Sequence, residues 1–98
     1  MYDWSEEKDR QLREDRGIGF EDIIFHIQEG DVLLTAVHPN RKKYPNQKIL
    51  YVRVDEYVYM VPFVEKEDKK FLKTIIPSRK ATKKLIRRKE NEPRHRNT

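Results

Sequence analysis

At Gly30 the hydrophobic period of the chain changes, and that change limits the fold more than any other feature. Upstream, Phe20, Ile23, Ile24 and Ile27 recur at the spacing that places apolar side chains on one helical face. Downstream, Val32-Leu33-Leu34-Thr35-Ala36-Val37 is a short run rich in β-formers. Helical segments followed by a run of strands are the order of an α+β fold, with helices on one face of an antiparallel sheet.

Local signals divide the chain further. Residues 5–16 read as a helix, with Ser5 as N-cap, Glu6 and Glu7 where the helix dipole favours acid, and Gly17 as the terminating glycine. Its apolar content is little more than Trp4 and Leu12, so it must lean on neighbours, with Trp4 as anchor. Its acidic residues Glu6, Glu7, Asp9, Glu14 and Asp15 read as a solvated surface. A second helix is expected over 20–29, ended by Gly30-Asp31. Strands are expected at 32–37, 49–54, 57–64 and 71–76, separated by a Pro- and Asn-rich loop (39–46), a tight turn at Asp55-Glu56 and a hairpin connection at 66–70. Pro62 cannot donate to a ladder, which predicts an edge position or a bulge there. Pro77-Ser78 breaks the last strand, and Ser78 can cap a basic helix over 79–89. The expected architecture is α+β: two N-terminal helices on a three- to four-stranded antiparallel sheet, then a basic C-terminal helix. One domain is expected over 1–89 and a disordered tail over 90–98.

With 36% hydrophobic and 40% charged residues in 98, the core is thin, and any chemistry belongs in a shallow groove. The chain has no cysteine, which removes disulfides and thiolate zinc sites. It carries no P-loop, glycine-rich dinucleotide fingerprint, HExxH pair or GxSxG elbow, so no metal and no cofactor is expected. Residues 1–16 contain no apolar signal-peptide core and no run is long enough to span a bilayer, so a cytoplasmic location without a membrane partner is expected. Charge is unevenly spread: net −6 over residues 1–31, +2 over 32–65 and +9 over 66–98. Such a split fits a polyanion-binding face near the C-terminal end, with RNA as the expected partner. It fits equally a solvated charged helix followed by a basic tail.

Two segments carry a resemblance to a known family. Trp4-Ser-Glu-Glu-Lys8 followed by Gly17-Ile-Gly-Phe20-Glu21 resembles the opening pattern of BrnT-type toxins of bacterial type II toxin–antitoxin systems, in the RelE/ParE-like group. Ile75-Ile76-Pro77-Ser78-Arg79-Lys80-Ala81-Thr82 is similar to the same family's Ile-Ile-Ser-Ala-Arg-x-Ala signature after the last strand. The sequence departs from the pattern at Ser5, Glu6, Arg16 and Thr74, and its central loop, His38 to Tyr44, is longer. The resemblance implies a RelE-like fold and a metal-independent endoribonuclease that inhibits growth. It also implies a cognate antitoxin encoded by an adjacent gene, through which alone the pair meets DNA.

Metal-free RNA cleavage needs a proton acceptor for the 2′-OH, a donor for the departing 5′ oxygen and cations for the phosphate. Arg79 matches the signature arginine and is the first candidate for the cationic role, against a structural salt bridge at a helix start. His38 ends a strand beside a basic loop and reads as a general acid or base, or as a turn histidine before Pro39. Lys48 and Arg53 interrupt an apolar strand and complete the catalytic candidates; Arg53 shares a strand face with Tyr51, a pairing of cation for phosphate and ring for base. Lys73, Lys80, Lys83, Lys84, Tyr44 and Tyr51 are the candidate RNA contacts. The run from Lys80 to Arg88 serves equally as a docking surface for an acidic antitoxin segment. Tyr57 and Tyr59 point the same way, and with Tyr51 they stack bases or pack under the helices. His26 reads as a half-buried helix residue.

Overall fold

The computed structural model describes residues 1–87; the expected tail at 90–98 and the end of the expected basic helix lie outside them. Helix α1 (Glu6–Arg16) starts where the Ser5 hydroxyl accepts the Lys8 N–H at 3.2 Å. It ends at Gly17, whose N–H still donates to the Arg13 carbonyl while its φ of 71° turns the chain out of the helix. Helix α2 (Phe20–Gln28) begins three residues later and is tied back to α1 by one carboxylate. Asp9 Oδ1 accepts the Phe20 N–H and Asp9 Oδ2 accepts Arg13 Nε, each at 2.8 Å. Asp9 is only 7% exposed, which corrects the expectation that the acidic residues of α1 are all solvated. The reason is that the first amides of α2 have no partner within their own helix, and a carboxylate from α1 supplies one. The hydrogen bond and charge of Asp9 in turn raise the Arg13 pKa above its ordinary value. Gly19 permits this approach, because a Cβ there would stand 2.7 Å from both Asp9 Oδ1 and Arg13 Nε. The Trp4 ring stacks on Phe20 with centroids 5.6 Å apart, so Trp4 is the anchor the sequence predicts.

The strands are β1 (Tyr2–Asp3), β2 (Val32–Val37), β3 (Gln47–Val54), β4 (Tyr57–Lys66), β5 (Lys69–Leu72) and β6 (Ile76–Pro77). They form one sheet in the order β1-β5-β4-β3-β2, with β6 also paired to β4. Two-residue hairpins join β3 to β4 and β4 to β5, and in each the first turn residue, Asp55 or Glu67, takes φ of 59°. The expected three- to four-stranded antiparallel sheet is thus six-stranded and mixed, for two reasons. The first residues add β1, parallel to β5. The fourth strand also splits, because residues 73–75 leave the ladder. There the Lys73 N–H donates to the Pro62 carbonyl at 2.8 Å. Pro62 is buried inside an inner strand, not at a sheet edge. In an antiparallel ladder a residue's N–H and C=O point the same way, so the amide position Pro62 lacks faces the gap between β5 and β6.

Register sorts the side chains onto two faces. Leu50 stands opposite Val61 and Lys48 opposite Phe63 on one face; Tyr51 opposite Met60 and Arg53 opposite Val58 on the other. The first face carries the main core, in which Leu50, Val52, Val61, Phe63, Leu72 and Ile75 pack against Leu12, Ile18, Phe20 and Ile23. The second face carries a smaller core of Val58 with Ala81 and Ile86, flanked by Tyr51 and Leu85. Helices therefore lie on both faces, which corrects the expectation of one helical face. Both sides of β3 are apolar, Ile49 on one and Leu50 and Val52 on the other, so both need cover.

Candidate functional site

The basic segment reaches the second face through two hydroxyls. Helix α3 (Arg79–Thr82) is capped by Ser78, whose Oγ accepts the Ala81 N–H at 3.0 Å. It continues as a π-helical turn over Lys83–Arg87. Thr82 is 2% exposed; its hydroxyl donates to the Ser78 carbonyl at 2.7 Å and accepts the buried Val58 N–H at 2.8 Å. That hydroxyl pins the basic helix to β4. Its role is not legible in the sequence, where Thr82 is only a polar residue inside a charged run.

Beside the pinned helix lies a groove of about 380 Å³. Leu34, Tyr51 and Met60 form its floor on the sheet, and Ser78, Lys80, Ala81, Lys84 and Leu85 form one wall. Pro39 borders it at the far end of β2. Lys80 and Lys84 are one helical turn apart and bring two cations to an apolar floor that holds one tyrosine ring. Among the described residues, no acidic residue lines the groove. Arg79 and Lys83 are turned away from it and line a separate hollow with Tyr57 and Thr82. Among the described residues, none of Arg79, Lys80, Lys83 and Lys84 makes an ion pair.

The other predicted residues divide. His38 follows Leu34 and Ala36 on the groove side of β2, next to Pro39. Its Nδ1 accepts the Asn40 N–H at 3.0 Å, which puts the proton of the neutral ring on Nε2. The ring packs on Tyr44 with centroids 4.5 Å apart, and Lys43 Nζ stands 5.4 Å from the Tyr44 centroid. Tyr44 is therefore half-buried support for His38 within a basic loop. Arg53 shares the groove's face with Tyr51 but is already engaged: Nε donates to the Asp55 carbonyl at 2.9 Å and Nη2 lies 3.5 Å from Glu56. Lys48 lies on the opposite face and pairs with Glu65 at 3.3 Å, so it is not gathered with the groove residues. Lys73 is exposed, with its Nζ 5.3 Å from the Phe71 centroid, away from the groove lining. Unbroken strand alternation would put Phe71, Lys73 and Ile75 on one face, but the strand break leaves Phe71 beside Val64 and Ile75 in the main core. The three tyrosines separate as well. Tyr57 and Tyr59 touch edge to face at 5.7 Å with Tyr59 against the main core, whereas Tyr51 is across the sheet. His26 is half-buried and bonds Asp31 at 2.8 Å through Nδ1.

Among the described residues no group of three or more His, Asp or Glu is placed to hold a metal ion. No helix among them is long and apolar enough to cross a membrane. No protein family, curated protein or solved structure matches this chain.

Proposed function

We propose that this chain is the toxin of a type II toxin–antitoxin pair, a BrnT-type protein of RelE-like fold that binds RNA in the cytoplasm and cuts it without a metal. The observation that supports this most is the groove in which Tyr51, on the sheet floor, lies beside Lys80 and Lys84, with no acidic residue among the described lining residues and no ion pair to either lysine among the described residues. A single-stranded nucleic acid needs a cationic track for its backbone and a ring on which a base can stack, and the groove offers both. In this reading Lys80 and Lys84 hold phosphates, Tyr51 stacks a base, and His38 Nε2 exchanges the proton at the Pro39 end. Arg79 and Lys83 engage a neighbouring phosphate. A cognate antitoxin neutralises the protein by laying an acidic segment along the same basic helix, and DNA is met only through that antitoxin.

The step from binding to cutting rests on the resemblance of Gly17–Glu21 and Ile75–Thr82 to the toxin family. A non-catalytic RNA-binding relative is the second reading. It is favoured by the engagement of Arg53 with its own turn and of Lys48 with Glu65. Incubating the purified protein with a long RNA separates the two. Cut products that disappear in both Arg79→Ala and His38→Ala support the toxin reading; salt-sensitive binding with intact RNA supports the second.

A further inference from the structure

The sheet has free edges at β1, β6 and β2, and only the β2 edge is long. The β1 edge is two residues long. The β2 edge is six residues long, carries neither charge nor proline, and leaves Leu33, Leu34 and Val37 36%, 44% and 56% exposed. Soluble proteins ordinarily blunt such an edge with charge, proline or brevity. The one irregularity of β2 is a register shift between Val32 and Leu34, after which Leu34 to Val37 pair regularly with β3. The His38 N–H donates to the Gln47 carbonyl on β3 at 3.1 Å. Alternate residues share a direction, so Leu34 and Ala36 also turn their amides toward β3, and Thr35 and Val37 turn theirs to the open edge.

We propose that this edge pairs antiparallel with β2 of a second copy of the chain, making one continuous sheet from two. Charge selects this occupant. β2 is entered from Glu29 and Asp31 and leaves into Arg41-Lys42-Lys43. Antiparallel pairing lays the acidic entry of each copy along the basic exit of the other, twice by symmetry. Parallel pairing would set acid against acid and base against base. Asp31 bonds His26 and still keeps 35% of its side chain exposed. Two-fold pairing across the edge closes on itself and stops at a dimer.

The pairing bears on the groove, because Leu34 on β2 is part of its floor. The two-fold axis of antiparallel strands runs normal to the sheet, so the groove faces of both copies look the same way. The second copy's Leu34 and His38 then extend the floor on the side away from the basic helix. The Lys80 and Lys84 pairs of the two copies flank one longer surface. The proposal does not depend on RNA cleavage and is tested without RNA.

Sedimentation equilibrium of the full chain, followed over a wide concentration range, is expected to give twice the chain mass of 12.0 kDa. Thr35→Pro removes an edge-facing donor and leaves the bonds to β3, so it is expected to yield a monomer with unchanged circular dichroism. Should that variant fail to fold, Val37→Lys, at a position exposed in the single chain, places a charge in the joint and is expected to give the same monomer. The double variant Arg41→Glu/Lys43→Glu is expected to weaken the dimer about tenfold. Adding Glu29→Lys is expected to restore part of that loss. A chain that stays monomeric when free, including one that accepts only a partner protein's strand, overturns the proposal. So does a dimer that Val37→Lys leaves intact, or assembly beyond the dimer.

Discussion

Replacing Thr82 by Val tests whether one hydroxyl holds the basic helix on the sheet. The two side chains have nearly the same shape, so the change opens no cavity. What it removes is the acceptor of the Val58 N–H, at 2.8 Å, beneath a residue that is 0% exposed. No water reaches that amide in place of the lost oxygen. An orphaned buried donor costs about 1–3 kcal/mol. The Ser78 carbonyl suffers less, since it keeps the Thr82 N–H at 3.0 Å. For a domain of this size each kcal/mol lowers the melting temperature by about 4–8 °C, so a cost near the middle of that range lowers it by about 8–16 °C. Thr82→Ser is the control: it keeps both hydrogen bonds and loses one methyl, about 0.8 kcal/mol. Calorimetry of the three proteins should rank wild type above Thr82→Ser and Thr82→Val last. Amide exchange in Thr82→Val should accelerate at Val58 and through residues 79–86. If Thr82→Val melts at or above Thr82→Ser, the hydroxyl does not pin the helix and the account of how Lys80 and Lys84 reach the groove is wrong.

Further outcomes follow from the same geometry. Lys80→Ala and Lys84→Ala should each flatten the dependence of log affinity for single-stranded RNA on log salt by about 0.7, read by fluorescence anisotropy in a salt series; an unchanged slope would place the phosphates elsewhere. Tyr51→Ala should weaken the same binding by about 1–3 kcal/mol, with Tyr59→Phe as a neutral comparison across the sheet. Lys48→Ala should leave RNA binding and growth inhibition unchanged, because Lys48 faces away from the groove and pairs with Glu65; lost toxicity in a folded variant would return it to the site. Asp9→Ala should destabilise the domain by about 1–3 kcal/mol in urea unfolding, since the Phe20 N–H loses its acceptor. Gly19→Ala should destabilise it as well, because the new Cβ displaces that carboxylate and Arg13, and wild-type stability in either variant would refute the described α1–α2 junction.

The sequence alone determined what depends on neighbours along the chain. Caps at Ser5, Gly17 and Ser78, the helical spacing of Phe20 to Ile27, the β run at 32–37 and the turn at Asp55-Glu56 are local, so residues a few places apart specify them. The alternation of β3 likewise puts Arg53 with Tyr51 and Lys48 on the other side before any fold is known. Tertiary structure decided what depends on residues far apart. Asp9 is buried because an amide eleven residues away has no other acceptor. Pro62 fits an inner strand because residues 73–75 leave the ladder opposite it. The basic helix crosses to the second face because both faces of the sheet are apolar and Val58 offers it an amide. That crossing divides the run of cations, placing Lys80 and Lys84 in the groove and Arg79 and Lys83 beside Tyr57. The amount of positive charge is a property of composition. Which of those charges share a surface with Tyr51 is set by how the helix docks, and contacts between residues about 24 positions apart in sequence decide that.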